Sequence, residues 1–352
     1  MGQTLRIGMI GLGFISAMHL KGYSKCPDVE VVAFCDIIEE RAQAAAAQYG
    51  AAGAKVYTDY KKMIAESKLD AVSVCTENNK HAEITIYALD AGLHVFCEKP
   101  MAVTGAEADA MVAAAKRNGR KLSVGYQLRF TPDAQLLRRE VLADRLGKIY
   151  YAEATTLRRR GVPTWGVFLD KAKQGGGPLI DIGTHLVDLT LWLMNDHSPV
   201  VSAIGRTFDG LIPLGGFNNG GHWDIDKFEV EDSAYGTVTL QSGAMLVVKA
   251  AWACNIKQMN LNESLLMGIK GGASLENDRL TLNGESNDRL WQHTPEPLTL
   301  EDTPYDREIA AWVKALVEDT EPVVRAEEAA QVVKVLEAIY LSARSGGKAI
   351  TL

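Results

Sequence analysis

Leu5-Arg6-Ile7-Gly8-Met9-Ile10-Gly11-Leu12-Gly13-Phe14-Ile15-Ser16 decides the fold. A short apolar run ends at a glycine, and a helix-compatible segment follows a Gly-x-Gly turn. Gly11 allows the tight turn, and Gly13 lets backbone approach a pyrophosphate. The free N–H groups of the next helix would hold that anion. Ser16 takes the third small position. Such a turn alone is weak evidence, but here strand and helix flank it. Asp36 lies twenty residues beyond Ser16, closing a second apolar run, Val29–Cys35. A carboxylate there accepts hydrogen bonds from ribose hydroxyls and repels a 2′-phosphate. The next residues, Ile37 and Ile38, bring no arginine, so the pattern predicts NAD rather than NADP.

Outward from this turn, strand and helix signals alternate to about residue 125. Ala71–Cys75, His94–Cys97 and Leu122–Gly125 read as strands, and Glu39–Tyr49, His81–Ala91 and Gly105–Asn118 as helices. This is the pattern of βαβ units around a parallel sheet. Beyond residue 125 it changes. A helix is expected over Asp133–Leu146, then longer alternating strands at Lys148–Leu157, Ser233–Leu240, Ala244–Trp252, Leu265–Lys270, Ala273–Glu276 and Arg279–Leu282. Gln241-Ser242-Gly243 reads as a hairpin turn, Gly210–Gly221 as a long loop, and the chain closes with helices near Tyr305–Asp319 and Ala326–Ala343. The expectation is an α/β Rossmann domain, a doubly wound parallel sheet, over residues 1–125. A C-terminal α+β domain with a large, mostly antiparallel sheet would fill residues 126–352.

The composition fits. A chain of 352 residues, 47% hydrophobic and 23% charged, has length for two domains. Its net charge of −7 argues against nucleic acid as a partner. The five cysteines (26, 35, 75, 97 and 254) are odd in number and form no CxxC pair, which predicts no disulfide framework or structural zinc and a reducing, cytoplasmic setting. No signal peptide is expected from the N-terminal segment, and no run of about 18 uncharged apolar residues would span a membrane.

Two further stretches carry chemistry. Glu98-Lys99-Pro100 closes the His94–Cys97 strand, at the edge where open α/β sheets bind ligands. A lysine there can hydrogen-bond a substrate hydroxyl and act as general base or acid, with Pro100 fixing the turn. Gly175-Gly176-Gly177-Pro178-Leu179-Ile180-Asp181-Ile182-Gly183-Thr184-His185-Leu186-Val187-Asp188-Leu189 joins a glycine loop to an almost wholly apolar helix. Asp181, His185 and Asp188 at i, i+4 and i+7 would share one face. Ionisable groups inside an apolar helix need a reason, and an Asp orienting a His toward a substrate hydroxyl is one. A polar seam between domains is the bland alternative. No ligand-spaced His/Cys/Glu cluster suggests a metal.

Gly11–Ser16, Glu98–Pro100 and Gly175–Leu189 together, with Gly125–Phe130 and the closing segments 305–312, 322–328 and 337–347, resemble the Gfo/Idh/MocA oxidoreductases, named for glucose–fructose oxidoreductase and inositol dehydrogenase. The resemblance spans essentially the whole chain. It implies hydride transfer between NAD(H) and a secondary hydroxyl of a sugar, glycoside or inositol-like cyclitol, with Lys99, Asp181 and His185 catalytic. It also implies Gly11, Gly13, Phe14, Ile15, Asp36, Thr76, Asn78, His81, Glu98, Lys99 and Gln127 at the cofactor. Substrate contacts would come from Lys99, Gln127, Arg158, Trp165, Asp181 and His185, and the assembly would be a homodimer or homotetramer. Three positions depart from the family: Glu77 stands where proline is usual, Gln127 where asparagine is common, and Gly166 follows Trp165 where some NADP-using relatives have arginine. Arg158, Arg159 and Arg160 could meet an acidic substrate or simply end a strand, and Trp223, Asp224 and Asp226 could reach the substrate pocket or a neighbouring subunit. A non-redox, glycosidase-type use of NAD and an NAD(H)-sensing binding protein are the alternatives. Both are expected to alter residues that stand intact here.

Overall fold

The computed structural model describes residues 4–352; Met1–Gln3, part of the segment read for a signal peptide, lie outside. Two compact units emerge, residues 1–130 with 300–330 and residues 131–299 with 331–352.

In the first unit, six parallel strands order as β3-β2-β1-β4-β5-β6. They are β1 (Leu5–Ile10), β2 (Val29–Cys35), β3 (Lys55–Tyr57), β4 (Ala71–Val74), β5 (His94–Cys97) and β6 (Leu122–Val124). The helices between them are α1 (Phe14–Ser24), α2 (Glu39–Tyr49), α3 (Tyr60–Glu66), α4 (His81–Asp90) and α5 (Gly105–Asn118). Strand order reverses between β1 and β4, which makes their carboxyl ends the natural binding edge of the sheet. All four residues of β4 are buried, as in a sheet covered on both faces. Local chemistry sets the ends. Thr104 and Glu107 form a capping box at the start of α5, and Gly119 closes it with φ +59°. Sequence reasoning left out β3 and α3, which are too short to show a period.

The second unit begins with α6 (Pro132–Leu142) and β7 (Ile149–Arg158), followed by α7 (Lys171–Gln174) and α8 (Thr184–Met194). Then come β8 (Val200–Phe208), β9 (Ser233–Leu240), β10 (Met245–Ala251), β11 (Asn260–Gly268), β12 (Gly272–Glu276), β13 (Arg279–Ser286) and β14 (Arg289–His293), with β15 (Ile350–Thr351) at the far end of the chain. They build a nine-stranded sheet, β14-β13-β12-β11-β7-β10-β9-β8-β15. Only β7 and β10 pair in parallel, so the sheet is mostly antiparallel as expected. The β9–β10 hairpin turns at Gly243, with φ +88°. Helix α6 stops at Leu142, short of the expected Leu146, because Asp144 turns into the left-handed region at φ +59°. Strands β8 and β14 were not anticipated.

Two more helices complete the chain, α9 (Pro304–Val317) and α10 (Ala326–Arg344). Beside the expected division at 125/126, residues 300–330 group with the first unit. Ile309, Trp312 and Val313 of α9 join Ile7, Phe34 and Phe96 in one buried cluster. Helix α9 lies so close to α1 that a Cβ on Gly22 would stand 2.8 Å from Ile309. A second tie is Arg129, wholly buried, whose guanidinium lies 2.7 Å from Glu328.

Candidate active site

Within the first unit the residues singled out by sequence gather at the carboxyl edge of the parallel sheet. Gly11 follows β1 with φ +84°, and a Cβ there would stand 2.6 Å from the Cys75 carbonyl oxygen. The requirement for glycine at this position is therefore internal to the protein. Gly13 is different. Its φ is −81° and a Cβ added to it meets nothing within 4 Å. The space over it is open, α1 begins there with no side-chain cap, and the Ser16 hydroxyl turns back onto the Gly13 carbonyl. Open space before uncapped N–H groups is what an anionic pyrophosphate needs. Phe14 is exposed and Ile15 half-buried.

Asp36 follows β2 and is nearly buried. Its Oδ2 accepts the Leu12 N–H at 2.6 Å and its Oδ1 accepts the Ile38 N–H at 2.8 Å. The carboxylate thus braces the glycine turn while each oxygen keeps a lone pair for a ribose hydroxyl. After β4 comes Thr76, whose Oγ1 is buried without a partner, an orphaned polar atom beside the Gly11 turn. Glu77 and buried Asn78 lead into a short 3₁₀ turn at Asn78–Lys80. These features fit an NAD: an open glycine cradle, an uncapped helix start, a ribose carboxylate and an orphaned hydroxyl.

His81 stands behind the edge. Its Nδ1 is 2.8 Å from the Pro100 carbonyl oxygen and its Nε2 is 3.1 Å from that of Thr76. Burial pushes its pKa below the ordinary histidine value, so the ring is neutral and donates one bond at a time. His81 links the Thr76 loop to the lysine turn, its single N–H donating to one of these two carbonyls.

That turn follows β5, and the Lys99–Pro100 peptide is cis. Glu98 is buried, its Oε2 accepting the Lys99 N–H at 3.0 Å, while Lys99 is half-buried. Gln127, after β6, donates its amide to the Tyr305 hydroxyl at 3.2 Å. Burial, reinforced by the Glu98 charge, pushes the Tyr305 pKa to about 12, so the phenol keeps its proton. Neither Tyr305 nor His19, described below, was singled out from sequence: one belongs to the distant segment that returns, and the other reads as one polar residue in the buried stripe of α1.

The second unit holds the remaining candidates. Asp181 lies in a π-helical turn, Leu179–Gly183, that runs into α8. This wider turn replaces the regular α-helical spacing between Asp181 and the start of α8. His185 and Asp188 share α8, with Asp188 fully buried and His185 half-buried. Asp181 Oδ2 accepts the indole N–H of buried Trp252 at 3.0 Å, which fixes the carboxylate. The glycine loop ahead of it is tight because Tyr340 and Glu231 press on it: a Cβ on Gly176 would strike the Tyr340 hydroxyl, and one on Gly177 the Glu231 carbonyl. Glu231 Oε2 accepts the Gly177 N–H at 3.0 Å and Oε1 the Tyr340 hydroxyl at 2.7 Å.

Trp165 is exposed, edge-on to Phe168 with ring centroids 6.0 Å apart. Arg158 donates to the Gly161 carbonyl at 3.1 Å, and Arg160 donates to the Arg159 and Cys254 carbonyls and to Asn255. Arg160 is therefore spent on holding a strand end, and Arg159 is exposed. Trp223, expected as a possible substrate contact, is instead core: it is buried with Val162, Ile182 and Trp252 and donates to the Ile212 carbonyl at 3.1 Å.

No described helix is long and apolar enough to cross a membrane. Residues 5–126 match the oxidoreductase family described by its NAD-binding Rossmann fold, and residues 138–352 match that family's C-terminal alpha/beta domain. The D-glucoside 3-dehydrogenase of Escherichia coli (strain K12) is 35% identical over 347 residues, covering 98% of this chain and 97% of that protein. An inositol 2-dehydrogenase of Salmonella typhimurium (strain LT2) is 32% identical over 201 residues, 56% of this chain and 57% of that protein. Among solved structures, an oxidoreductase domain protein from Kribbella flavida is 27% identical, covers 99% of each chain and superposes with a TM-score of 0.85. With both halves matched and the glycine turn, Asp36 and the lysine turn on one sheet edge, the chain is an NAD-binding oxidoreductase of the Gfo/Idh/MocA family.

Proposed function

We propose that the protein oxidises a secondary ring hydroxyl of a sugar, with the C3 hydroxyl of a glucoside first among the candidates and cyclitols second. One observation carries this reading: the open Gly13 cradle after β1 and the turn bearing Lys99 after β5 stand at the same carboxyl edge of one parallel sheet, with only β4 between their strands, the arrangement that serves a nucleotide and a proton-handling amine together. The full-length likeness to a D-glucoside 3-dehydrogenase supports the choice of substrate class. Gly11–Ile15, Thr76 and Asn78 would hold the dinucleotide, with Asp36 on its ribose. Glu98 and Gln127 would stand at the nicotinamide end.

NAD, when bound, supplies the hydride acceptor. The chain's own residues do the rest. Lys99 Nζ or His185 takes the hydroxyl proton and returns it in the reverse direction. Trp252 holds Asp181, and Asp181 orients His185. Gln127, with its amide N–H on Tyr305, offers its carbonyl oxygen as acceptor. Arg158 and Trp165 are proposed substrate contacts. The protein is proposed to work in the cytoplasm, as a homodimer or homotetramer formed through the large sheet, whose half-exposed Tyr151, Val247 and Leu265 leave apolar area to cover.

NAD⁺ and NADP⁺ reduction across methyl glucosides, free aldoses, inositols and uronates tests the reading. It predicts NAD⁺ reduction with at least one glucoside or cyclitol. NAD⁺ binding by calorimetry without reduction of any member of the panel would instead favour an NAD(H) sensor.

A further inference from the structure

We propose that His19 is a positioning residue for Lys99, acting through Glu98; the proposal rests on the reading of Lys99 as the proton-handling group. His19 sits in the middle of α1, the helix whose first turn forms the glycine cradle, and is completely inaccessible to solvent. Its Nε2 lies 2.8 Å from Glu98 Oε1 and its Nδ1 lies 3.5 Å from the Cys75 thiol. The ring stands edge-on to Phe96 with centroids 5.1 Å apart. Glu98 spends its other oxygen on the Lys99 backbone N–H, at 3.0 Å. At the end of β6, a Cβ on Gly125 would stand 2.7 Å from Glu98 Oε1. The carboxylate is therefore gripped between α1, β5 and β6, with no room to turn.

A buried carboxylate and its partner rarely add net stability over a well-packed apolar pair. Such a pair inside this core needs another reason, and its place in the chain provides one. Glu98 precedes Lys99 and holds its peptide N–H. A fixed carboxylate there sets the direction in which the lysine leaves the strand and places a negative charge beside its ammonium. The groups facing Glu98 are His19 from α1, Cys75 after β4, His81 from α4, Cys97 and Lys99 on the β5 turn, and Tyr305 from α9. Burial alone would raise the Glu98 pKa, but the His19 hydrogen bond and the His19 and Lys99 charges outweigh it, so the group is an anion at neutral pH. Without the His19 N–H that balance tips toward protonation, and the charge beside Lys99 is lost. The helix that would seat the pyrophosphate thus also fixes the lysine.

His19→Leu, His19→Gln and Glu98→Gln test this. Glutamine at 19 can still present an N–H to Glu98; leucine cannot. The first readout needs no cofactor: Lys99 in the cofactor-free protein is acetylated over a pH series and its peptide quantified by mass spectrometry. The pH profile of acetylation should move to lower pH in His19→Leu and Glu98→Gln, which lose the neighbouring negative charge, and should hold in His19→Gln. In turnover, His19→Leu should lower kcat by about a hundredfold and leave the KM for NAD⁺ nearly unchanged, with His19→Gln restoring most of the loss. Wild-type midpoints in both charge-removing variants, or equal damage from Leu and Gln at 19, would overturn the proposal. If His19→Leu fails to fold, the Glu98→Gln midpoint decides. If the wild type oxidises no sugar, the reading of Lys99 fails, while the acetylation series still reports whether His19 controls its surroundings.

Discussion

Gly11 and Gly13 carry the different roles read from the sequence, and substituting each with alanine gives opposite outcomes. Alanine at 11 must hold a φ of +84° and place its Cβ 2.6 Å from the Cys75 carbonyl oxygen and 2.7 Å from its carbon, both backbone atoms that cannot step aside. The dihedral costs about 1–2 kcal/mol and the overlap about 1–3 kcal/mol. The combined loss is about 2–5 kcal/mol, which lowers the thermal midpoint of a unit this size by roughly 4–20 °C. Alanine at 13 meets nothing within 4 Å at an ordinary φ, so the cofactor-free protein should melt within a degree or two of wild type. What Gly13→Ala fills is the space of the pyrophosphate. Losing one hydrogen bond to a charged group, about 1.5–3 kcal/mol, weakens NAD⁺ by about 10- to 100-fold. Scanning fluorimetry and calorimetry on both variants decide the matter. A Gly13→Ala protein that binds NAD⁺ like wild type, or that melts as early as Gly11→Ala, would refute the reasoning.

Three further outcomes follow from the same geometry. Lys99→Met should cut turnover by about 10²–10⁴-fold while NAD⁺ affinity stays close to wild type; retention of more than about a tenth of the wild-type rate removes Lys99 from its role. Asp36→Ala removes the ribose acceptor and the brace on the Leu12 and Ile38 N–H groups, so calorimetry should show the NAD⁺ affinity falling about tenfold or more and the NAD⁺/NADP⁺ preference shrinking with it. Glu328 is pushed up by burial but pulled lower by Arg129 and Arg325, leaving its pKa below the ordinary 4.5; a carboxyl depressed in the fold contributes stability above its unfolded value and loses it as pH falls through the folded one. Acid unfolding of the wild type should therefore steepen below about pH 4.5, with Glu328→Gln less stable at neutral pH and flatter in that range; parallel pH curves for the two proteins would contradict this.

The parallel sheet was legible because its strands are buried on both sides and read as short apolar runs ending in chemistry-bearing residues. Gly11, Asp36, Thr76, Lys99 and Gln127 each stand just past a strand, and parallel pairing brings all those ends to one edge. The return of residues 300–330 was not legible. Ile309, Trp312 and Val313 make an amphipathic stripe that would suit any core, and only three-dimensional packing shows which one they join. The π turn at Leu179–Gly183 was hidden for a related reason: a segment buried on all sides carries no period from which a wider turn could be read. Trp223 misled because a tryptophan in a glycine-rich loop suggests a ligand contact, whereas its indole N–H is spent on the Ile212 carbonyl. The glycines at 176 and 177 read in sequence only as a glycine loop; what requires them is the close approach of Tyr340 and Glu231, fifty or more residues away.

Label transfer tests the central claim most directly. Methyl glucoside carrying deuterium at C3 is incubated with the protein and NAD⁺, and the reduced cofactor is examined by proton NMR at nicotinamide C4. The account predicts one deuterium delivered to one face of C4, with a C3 keto product. Reduced cofactor without deuterium would reject C3 as the site of oxidation. No reduced cofactor with this or any other deuterated sugar or cyclitol, from protein that binds NAD⁺, would contradict the claim that the chain is a sugar dehydrogenase.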